Sequence, residues 1–426
     1  MSEWKKYKLG EIFDFTTGKL DSNQAIEKGK YPFFTCSPTT LSIDSYAFDT
    51  EAVLLAGNNA NAIYPIKYYS GKFNAYQRTY VITPKKDKEI DLKWFYFKLH
   101  EIINNLSKQS SGTATKFLTK KILSHYEINI PDINIQKKIT NILWNLDNKI
   151  QLNIETNQTL EAIAQAIFKH WFIDFAPVHA KAEALAEGKT VEQAELAAMA
   201  SISGKTGQQI IELAQTNPQA YQQLQQTAAA FPSEFEKSEL GLVPKGWEIS
   251  TFKDYATFVK GKKPKNIYLK QEGELLPHIL VSSLNGEYKE FANPENMTLV
   301  SSHETIMLMD GSGSGKISIG HDGIIGSTLA KLKLNDKKYW AFIYLFLSSK
   351  TDDIQNNTTG AAIPHTDKNR VYGYPISMPN DKLLNLINKL LDGIFSKIQV
   401  HTNENQTLAK TRDTLLPKLL SGEIEL

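Results

Sequence analysis

The sequence predicts an α+β protein: two similar mixed α/β domains joined by two long antiparallel coiled-coil helices, with an internal pseudo-two-fold. Three observations carry this expectation. Segments of the first half recur in order in the second, and heptad-spaced apolar stripes sit at matching places in both. In addition, 426 residues exceed what a single hydrophobic core usually organises.

The repeat is read first. Trp4, Leu9, Ile12, Phe15 and Gly18-Lys19 correspond to Trp247, Phe252, Tyr255, Phe258 and Gly261-Lys262 at an offset of 243. Further on the offset becomes 248. Ser110-Ser111-Gly112 answers to Thr358-Thr359-Gly360, Tyr126 and Pro131 answer to Tyr374 and Pro379, and Asn157-Gln158-Thr159-Leu160 recurs unchanged at 405–408. One shared tetrapeptide is weak evidence, but an ordered series at one offset marks a tandem repeat.

Each half opens with short β-like runs, at 52–55 and 79–82 in the first and at 305–309 and 330–334 in the second. Glycine, asparagine and proline turns punctuate them. A helix is expected at 92–106 and again at 340–348. A polar loop then leads to a strand ending at Pro131 or Pro379. The two mixed domains are placed at 1–133 and 245–381.

Long helices follow at 134–176 and, with the C-terminal tail, at 382–426. In the first, Ile139, Leu143, Leu146, Ile150, Asn153, Asn157 and Leu160 recur at alternating spacings of four and three, the seam of a coiled coil. In the second, Ile387, Leu391, Ile394, Ile398, His401, Asn405 and Leu408 form the same stripe. The stretch 134–175 makes about 63 Å of helix at 1.5 Å per residue. Antiparallel pairing puts Asn153 and Asn157 opposite His401 and Asn405. Such polar seam residues either fix register at a cost in stability or mark a hydrated mid-helix.

The connector at 177–244 is rich in alanine and glutamine and reads as helical, with turns at Ser203-Gly204 and Asn217-Pro218. Its stretch 181–240 holds 4 basic and 8 acidic residues, net −4, against +4 for 1–180 and +2 for 241–426. Acidic balance makes it a poor surface for nucleic acid.

Composition excludes several classes. With 41% hydrophobic and 22% charged residues the chain is neither disordered nor membrane-like. No 18-residue apolar stretch or signal peptide is present, so a cytoplasmic location is expected. The single cysteine, Cys36, excludes a disulfide framework and a multi-cysteine zinc site. A net charge of +2 excludes a polybasic tail but leaves room for a local basic groove.

Tests for catalytic chemistry are negative. The run Asp310-Gly311-Ser312-Gly313-Ser314-Gly315-Lys316-Ile317 fails the phosphate-loop pattern at both ends. Gly204-Lys205-Thr206 lacks the first glycine, and the nine histidines form no metal-binding spacing. No catalytic residue, metal site or cofactor is assigned to this chain.

Polar loops at matching places in the halves remain. Asn58, Asn59, Lys72, Asn74, Tyr76, Arg78, Ser110, Thr113 and Lys116 are candidates in the first half. In the second they are Lys262, Lys263, Ser312, Ser314, Lys316, Asn356 and Thr358. Amides and arginine read base edges, whereas lysines and backbone N–H groups hold phosphates. Such loops are also ordinary exposed turns.

The half-repeat beginning W-x(4)-L-G-E-I at Trp4, the Gly-Thr-Ala segment before a strand and I-P, and the helix carrying N-Q-T-L together resemble the specificity subunit of type I restriction-modification enzymes. So do the run from Phe168 to Phe175 and the closing run from Leu415 to Ile424. The resemblance covers nearly the whole chain, and its strength lies in the order of the motifs. It implies two target-recognition domains reading the halves of a bipartite asymmetric sequence in double-stranded DNA. The helices then act as a ruler for the unread gap. It also implies a non-catalytic subunit that holds two modification subunits, which bind S-adenosylmethionine and methylate adenine. Restriction subunits using ATP and Mg2+ complete the complex. Trp171, Phe172, Phe175, Leu416 and Leu419 become candidate subunit contacts. The long connector departs from the family pattern. The alternative is a coiled-coil scaffold that bridges protein partners without touching DNA.

Overall fold

Lys5–Lys8 pairs antiparallel with Glu127–Ile130, Lys5 opposite Ile130, and Glu248–Thr251 pairs with Pro375–Met378, Glu248 opposite Met378. These pairings, seen in a computed structural model describing residues 4–59, 63–110, 116–284, 286–360 and 362–426, obey the two repeat offsets. The next bond repeats too: Leu9 N–H donates to Tyr126 O at 2.9 Å, and Phe252 N–H donates to Tyr374 O at 2.9 Å. The chain divides into two units, residues 1–152 with 407–426, and residues 153–406.

In the first unit six strands lie in the order Phe13–Thr17, Thr79–Pro84, Phe48–Ala56, Ile66–Ala75, Tyr31–Phe34, Leu41–Ile43. Ile66–Ala75 and Thr79–Pro84 both run antiparallel to Phe48–Ala56, on its opposite flanks. Only Tyr76, Gln77 and Arg78 link them, and four residue steps reach at most about 14 Å. The sheet must therefore curl until its ends approach. Asp91 caps the helix Leu92–Lys108, accepting from Lys93 N at 2.9 Å and Trp94 N at 3.1 Å. That helix buries Trp94, Phe95, Leu99 and Leu106 against Leu9, Ile12 and Phe13. Ile139 and Leu143 from one long helix, with Leu419 and Leu420 from the other, complete the core.

The second unit repeats the plan with shorter strands. Ala256–Lys260 pairs with Leu329–Leu334, which continues to Ile306–Leu308 and Ile317–Ser318. A second sheet runs Phe291–Ala292, Leu276–Ile279, Gly323–Ile325, Leu299–Val300. The helix Trp340–Ser349 is apolar on nearly every face and is accordingly buried all round. Trp247, the counterpart of Trp4, lies 5.8 Å from Phe172 and 5.5 Å from Phe175 between ring centroids. Trp4 itself packs on the core that holds Leu419 and Leu420. Each repeat's opening tryptophan thus meets the end of the other repeat's long helix.

The long helices span Ile133–Phe168 and Asp381–Ser421. The first continues as a π-helical turn, Lys169–Ile173, and stops short of the expected 176. Phe175 takes a left-handed conformation, φ 49°, and Pro177 lacks the N–H that a continued helix would need. In the second unit Asn153 Nδ2 donates to Asn405 Oδ1 and to Glu404 Oε2, each at 2.8 Å. Asn157 Nδ2 donates to Ile398 O at 3.3 Å, and His401 Nδ1 donates to Asn157 Oδ1 at 2.8 Å. Numbers rise along one helix as they fall along the other, so the helices run antiparallel. In the first unit Arg412 Nη1 donates to Asp147 Oδ1 at 2.7 Å. Ile139, Leu143, Asn153, Ile387 and Leu391 are buried, whereas Leu146, Ile150, Asn157, Leu160, Ile394, Ile398, His401, Asn405 and Leu408 are half-buried.

The connector forms four helices, Ala176–Ala186, Val191–Ser203, Gly207–Thr216 and Pro218–Ala230. Thr190 with Gln193 and Thr206 with Gln209 form capping boxes, satisfying first-turn N–H groups. Buried Lys181 joins three segments, donating to Glu195 Oε1 at 2.7 Å and Phe231 O at 2.8 Å. The connector, expected to be helical with turns, departs from that at its end. Phe235–Ser238 and Gly241–Pro244 form a β-hairpin, with Gly241 supplying the positive φ of 93° at the turn. Among the described residues no helix is long and apolar enough to cross a membrane.

Candidate nucleic-acid interface

In the first unit the curled sheet brings three segments together. Gly57 N–H donates to Arg78 O at 2.7 Å, and Leu118 N–H donates to Gly57 O at 2.9 Å. The two-residue strand Asn58–Asn59 pairs with Lys116–Phe117, Asn59 opposite Lys116. The exposed Arg78 guanidinium lies 5.6 Å from the Phe117 ring centroid, a long cation–π contact. Cys36 Sγ contacts Asn58 Oδ1 at 3.0 Å, holding that amide by its oxygen. Around these residues lies a cleft of about 400 Å³ that also includes Thr17, Gln77 and Lys120.

The other first-half candidates divide. Lys72 is exposed, its Nζ 4.8 Å from the Tyr46 ring centroid. Tyr76 is half-buried on the turn leading to Arg78. Ser110 Oγ donates to Ser107 O at 2.6 Å and so finishes a helix. Thr113 and the Asn59 side chain lie outside the described residues. Asn74 is corrected as a base reader: it is 4% exposed, and its amide binds Ser45 O at 3.3 Å and Ala75 N at 3.0 Å. Its polar atoms are spent inside the fold.

In the second unit the hub is Asp310. Its carboxylate pairs with Lys260 Nζ at 2.8 Å and His365 Nδ1 at 2.8 Å. Partial burial alone would raise the Asp310 pKa, but the Lys260 and His365 hydrogen bonds outweigh it and hold the group below the usual range. The pairing ties together the strand entering Lys262, the turn carrying Ser312 and Lys316, and the loop carrying Thr358. Lys262, Lys263, Ser312, Lys316 and Asn356 are exposed, and Thr358 is half-buried. Ser314 is corrected in the same way as Asn74. It is 1% exposed and donates to Gly311 O at 2.7 Å and Pro364 O at 2.9 Å, clamping the glycine-rich turn.

Asp353 anchors the far side of that loop. Arg370 grips it through Nε at 3.0 Å and Nη2 at 2.7 Å, Asn357 Nδ2 donates to it at 3.2 Å, and Tyr374 adds its hydroxyl. The Arg370 hydrogen bonds, then that of Tyr374, hold Asp353 down at about 2. Gln77, Lys120, Asp310 and His365 are not among the candidate residues read from the sequence. Asp310 and His365 are 55 residues apart, and nothing local connects them.

The repeated Gly-Lys pairs have a common backbone cause. A Cβ on Gly18 would lie 1.6 Å from Ala75 O, and one on Gly261 would lie 2.2 Å from Gly326 O. Only glycine permits these approaches. Each is followed by an exposed lysine, Lys19 or Lys262.

Of the candidate subunit contacts, Trp171, Phe172 and Leu419 are buried in this chain's own cores and offer no exposed side chain to a partner. Phe175 and Leu416 are half-buried. Among the described residues no group of three or more histidine, cysteine, aspartate or glutamate side chains is placed to hold a metal ion.

The chain is 30% identical to the type I restriction enzyme HindI specificity subunit of Haemophilus influenzae, over all of both chains. It is 39% identical to the EcoDI specificity subunit of Escherichia coli, over 41% of this chain and 38% of that one. A crystal structure of the S subunit of a type I restriction-modification system from M. genitalium matches with a TM-score of 0.54 and 15% identity. It covers 98% of this chain and 96% of that one, a likeness of fold. The family model described as the type I restriction modification DNA specificity domain matches residues 1–162 and 244–410. With two copies of that domain over most of its length, the chain belongs to the DNA specificity subunits of type I restriction-modification enzymes.

Proposed function

We propose that this chain reads a bipartite asymmetric DNA sequence, residues 1–133 taking one half-site and residues 245–381 the other. The observation that carries this reading is the duplicated surface. Each repeat places exposed basic and polar side chains beside a glycine-locked Gly-Lys turn, around Arg78 in one and around Asp310 in the other. Arg78 and Asn58 suit base edges, whereas Lys262, Lys263 and Lys316 suit phosphates.

The two long helices set the length of the unread gap. Modification subunits that bind S-adenosylmethionine supply methylation, and restriction subunits using ATP and Mg2+ supply cleavage. This chain contributes the choice of sequence. Its mild net charge of +2 fits a division of labour in which partner subunits supply much of the phosphate grip. Methylation mapping of DNA from cells carrying this chain with its modification subunit tests the reading. One split, asymmetric motif is expected; methylation at a single contiguous motif contradicts it.

A further inference from the structure

The loop after Gly261 presents an apolar tip that the fold does not use. Ile267 is 43%, Tyr268 45% and Leu269 81% exposed. Isolated exposed apolar side chains are normal, but three in succession at the tip of a held loop are not. The tip is held by backbone bonds: Tyr268 N–H donates to Phe291 O at 2.9 Å, and Phe291 N–H donates to Tyr268 O at 2.8 Å. Phe291 itself stands opposite Pro277 in the sheet.

The surroundings define the occupant. Lys262, Lys263, Lys265 and Lys270 are all exposed and flank the tip in sequence, and acidic residues begin only beyond it, at Glu272 and Glu274. The first unit has a weaker version in the same place. There Ile26 follows Gly18-Lys19, is 43% exposed, and its N–H donates to Ser42 O at 2.9 Å.

We propose that Leu269 is a wedge that enters a groove of the bound duplex and partly unstacks one base step, while the flanking lysines hold the phosphates on either side. An aliphatic tip cannot hydrogen-bond base edges, and a basic partner would be repelled by the four lysines that flank it in sequence. Apolar side chains inserted between base steps, with cations on the backbone, are a recurrent means of bending DNA. The cost of unstacking depends on the step, so the wedge adds selectivity at a position where no base edge is read.

This inference rests on the DNA-reading function proposed above, and its test separates the two. The full chain, assembled with its modification subunit, is bound to duplexes carrying the mapped target. 2-Aminopurine is placed at successive positions other than the methylated base. Binding should raise fluorescence several-fold at one step of the half-site assigned to 245–381. Leu269→Ala should abolish that rise while binding persists, and Leu269→Phe should restore it. Bound duplex with no rise at any step, or a rise unchanged in Leu269→Ala, overturns the wedge but leaves the reading function standing. Absence of binding by the unaltered complex overturns both.

Discussion

Asn153 Nδ2 lies 2.8 Å from Asn405 Oδ1 between the two long helices, and the Asn153 side chain is 2% exposed. A hydrogen bond between a buried and a half-buried amide in the seam favours the one register in which both are satisfied. Asn153→Leu removes the donor that Asn405 and Glu404 share. A loss of about 1–3 kcal/mol is expected. The double variant Asn153→Leu/Asn405→Leu should recover part of it. Urea denaturation checks both, and equal stability of all three proteins would remove the register role.

Asn74 and Ser314 are framework residues, because their polar atoms bind the chain itself. Asn74→Ala and Ser314→Ala should each lower stability by about 1–3 kcal/mol. Neither should alter the methylated motif, provided the protein is assayed where it remains folded. Thermal melts with methylation mapping check this. A changed motif with unchanged stability would return the residue to the reading surface.

Arg78 and Lys262 should behave differently. Arg78→Ala is expected to relax one half of the motif and spare the other, because an exposed guanidinium can read a guanine edge. Lys262→Ala should weaken binding on all sequences about equally and reduce the salt slope by about 1. Binding titrations of the assembled complex at several salt concentrations distinguish the two patterns.

His321 supplies a pH dependence. Burial pushes its pKa down to about 4, partly opposed by Asp322, and its ring meets Ser318 Oγ at 2.7 Å and Tyr288 Oη at 3.0 Å. The unfolded imidazole titrates near 6.5, so between pH 6.5 and about 4 the unfolded chain binds the extra proton. Stability from this residue is complete above pH 6.5 and falls as pH drops through that window, by at most about 3 kcal/mol. His321→Gln should flatten that part of the profile. The difference between wild-type and variant urea midpoints, followed from about pH 7.5 down to about pH 4, measures it.

Much of the fold was legible because the sequence states it twice. The match of Tyr126 to Tyr374 foreshadows the same backbone bond in both repeats, and the four-three stripe foreshadows both long helices. The stop at Ile173 was not legible. Heptad spacing runs on to Trp171, but the helix passes into a π turn and a left-handed Phe175, whose ring lies 5.5 Å from that of Trp247. The candidate surface was legible only as loops. Asn74 and Asn58 are alike in sequence, yet curling of the sheet buries one and leaves the other in the cleft. The Asp310 hub joins residues that only the folded chain brings together.

Exchange of residues 245–381 for the matching segment of another specificity subunit, followed by methylation mapping of the complex, tests the central claim most directly. One domain per half-site predicts a hybrid motif: one half of the original sequence kept, the other replaced by a half-site of the donor, the gap retained. A methylating complex whose motif is unchanged, or changed in both halves, would contradict it.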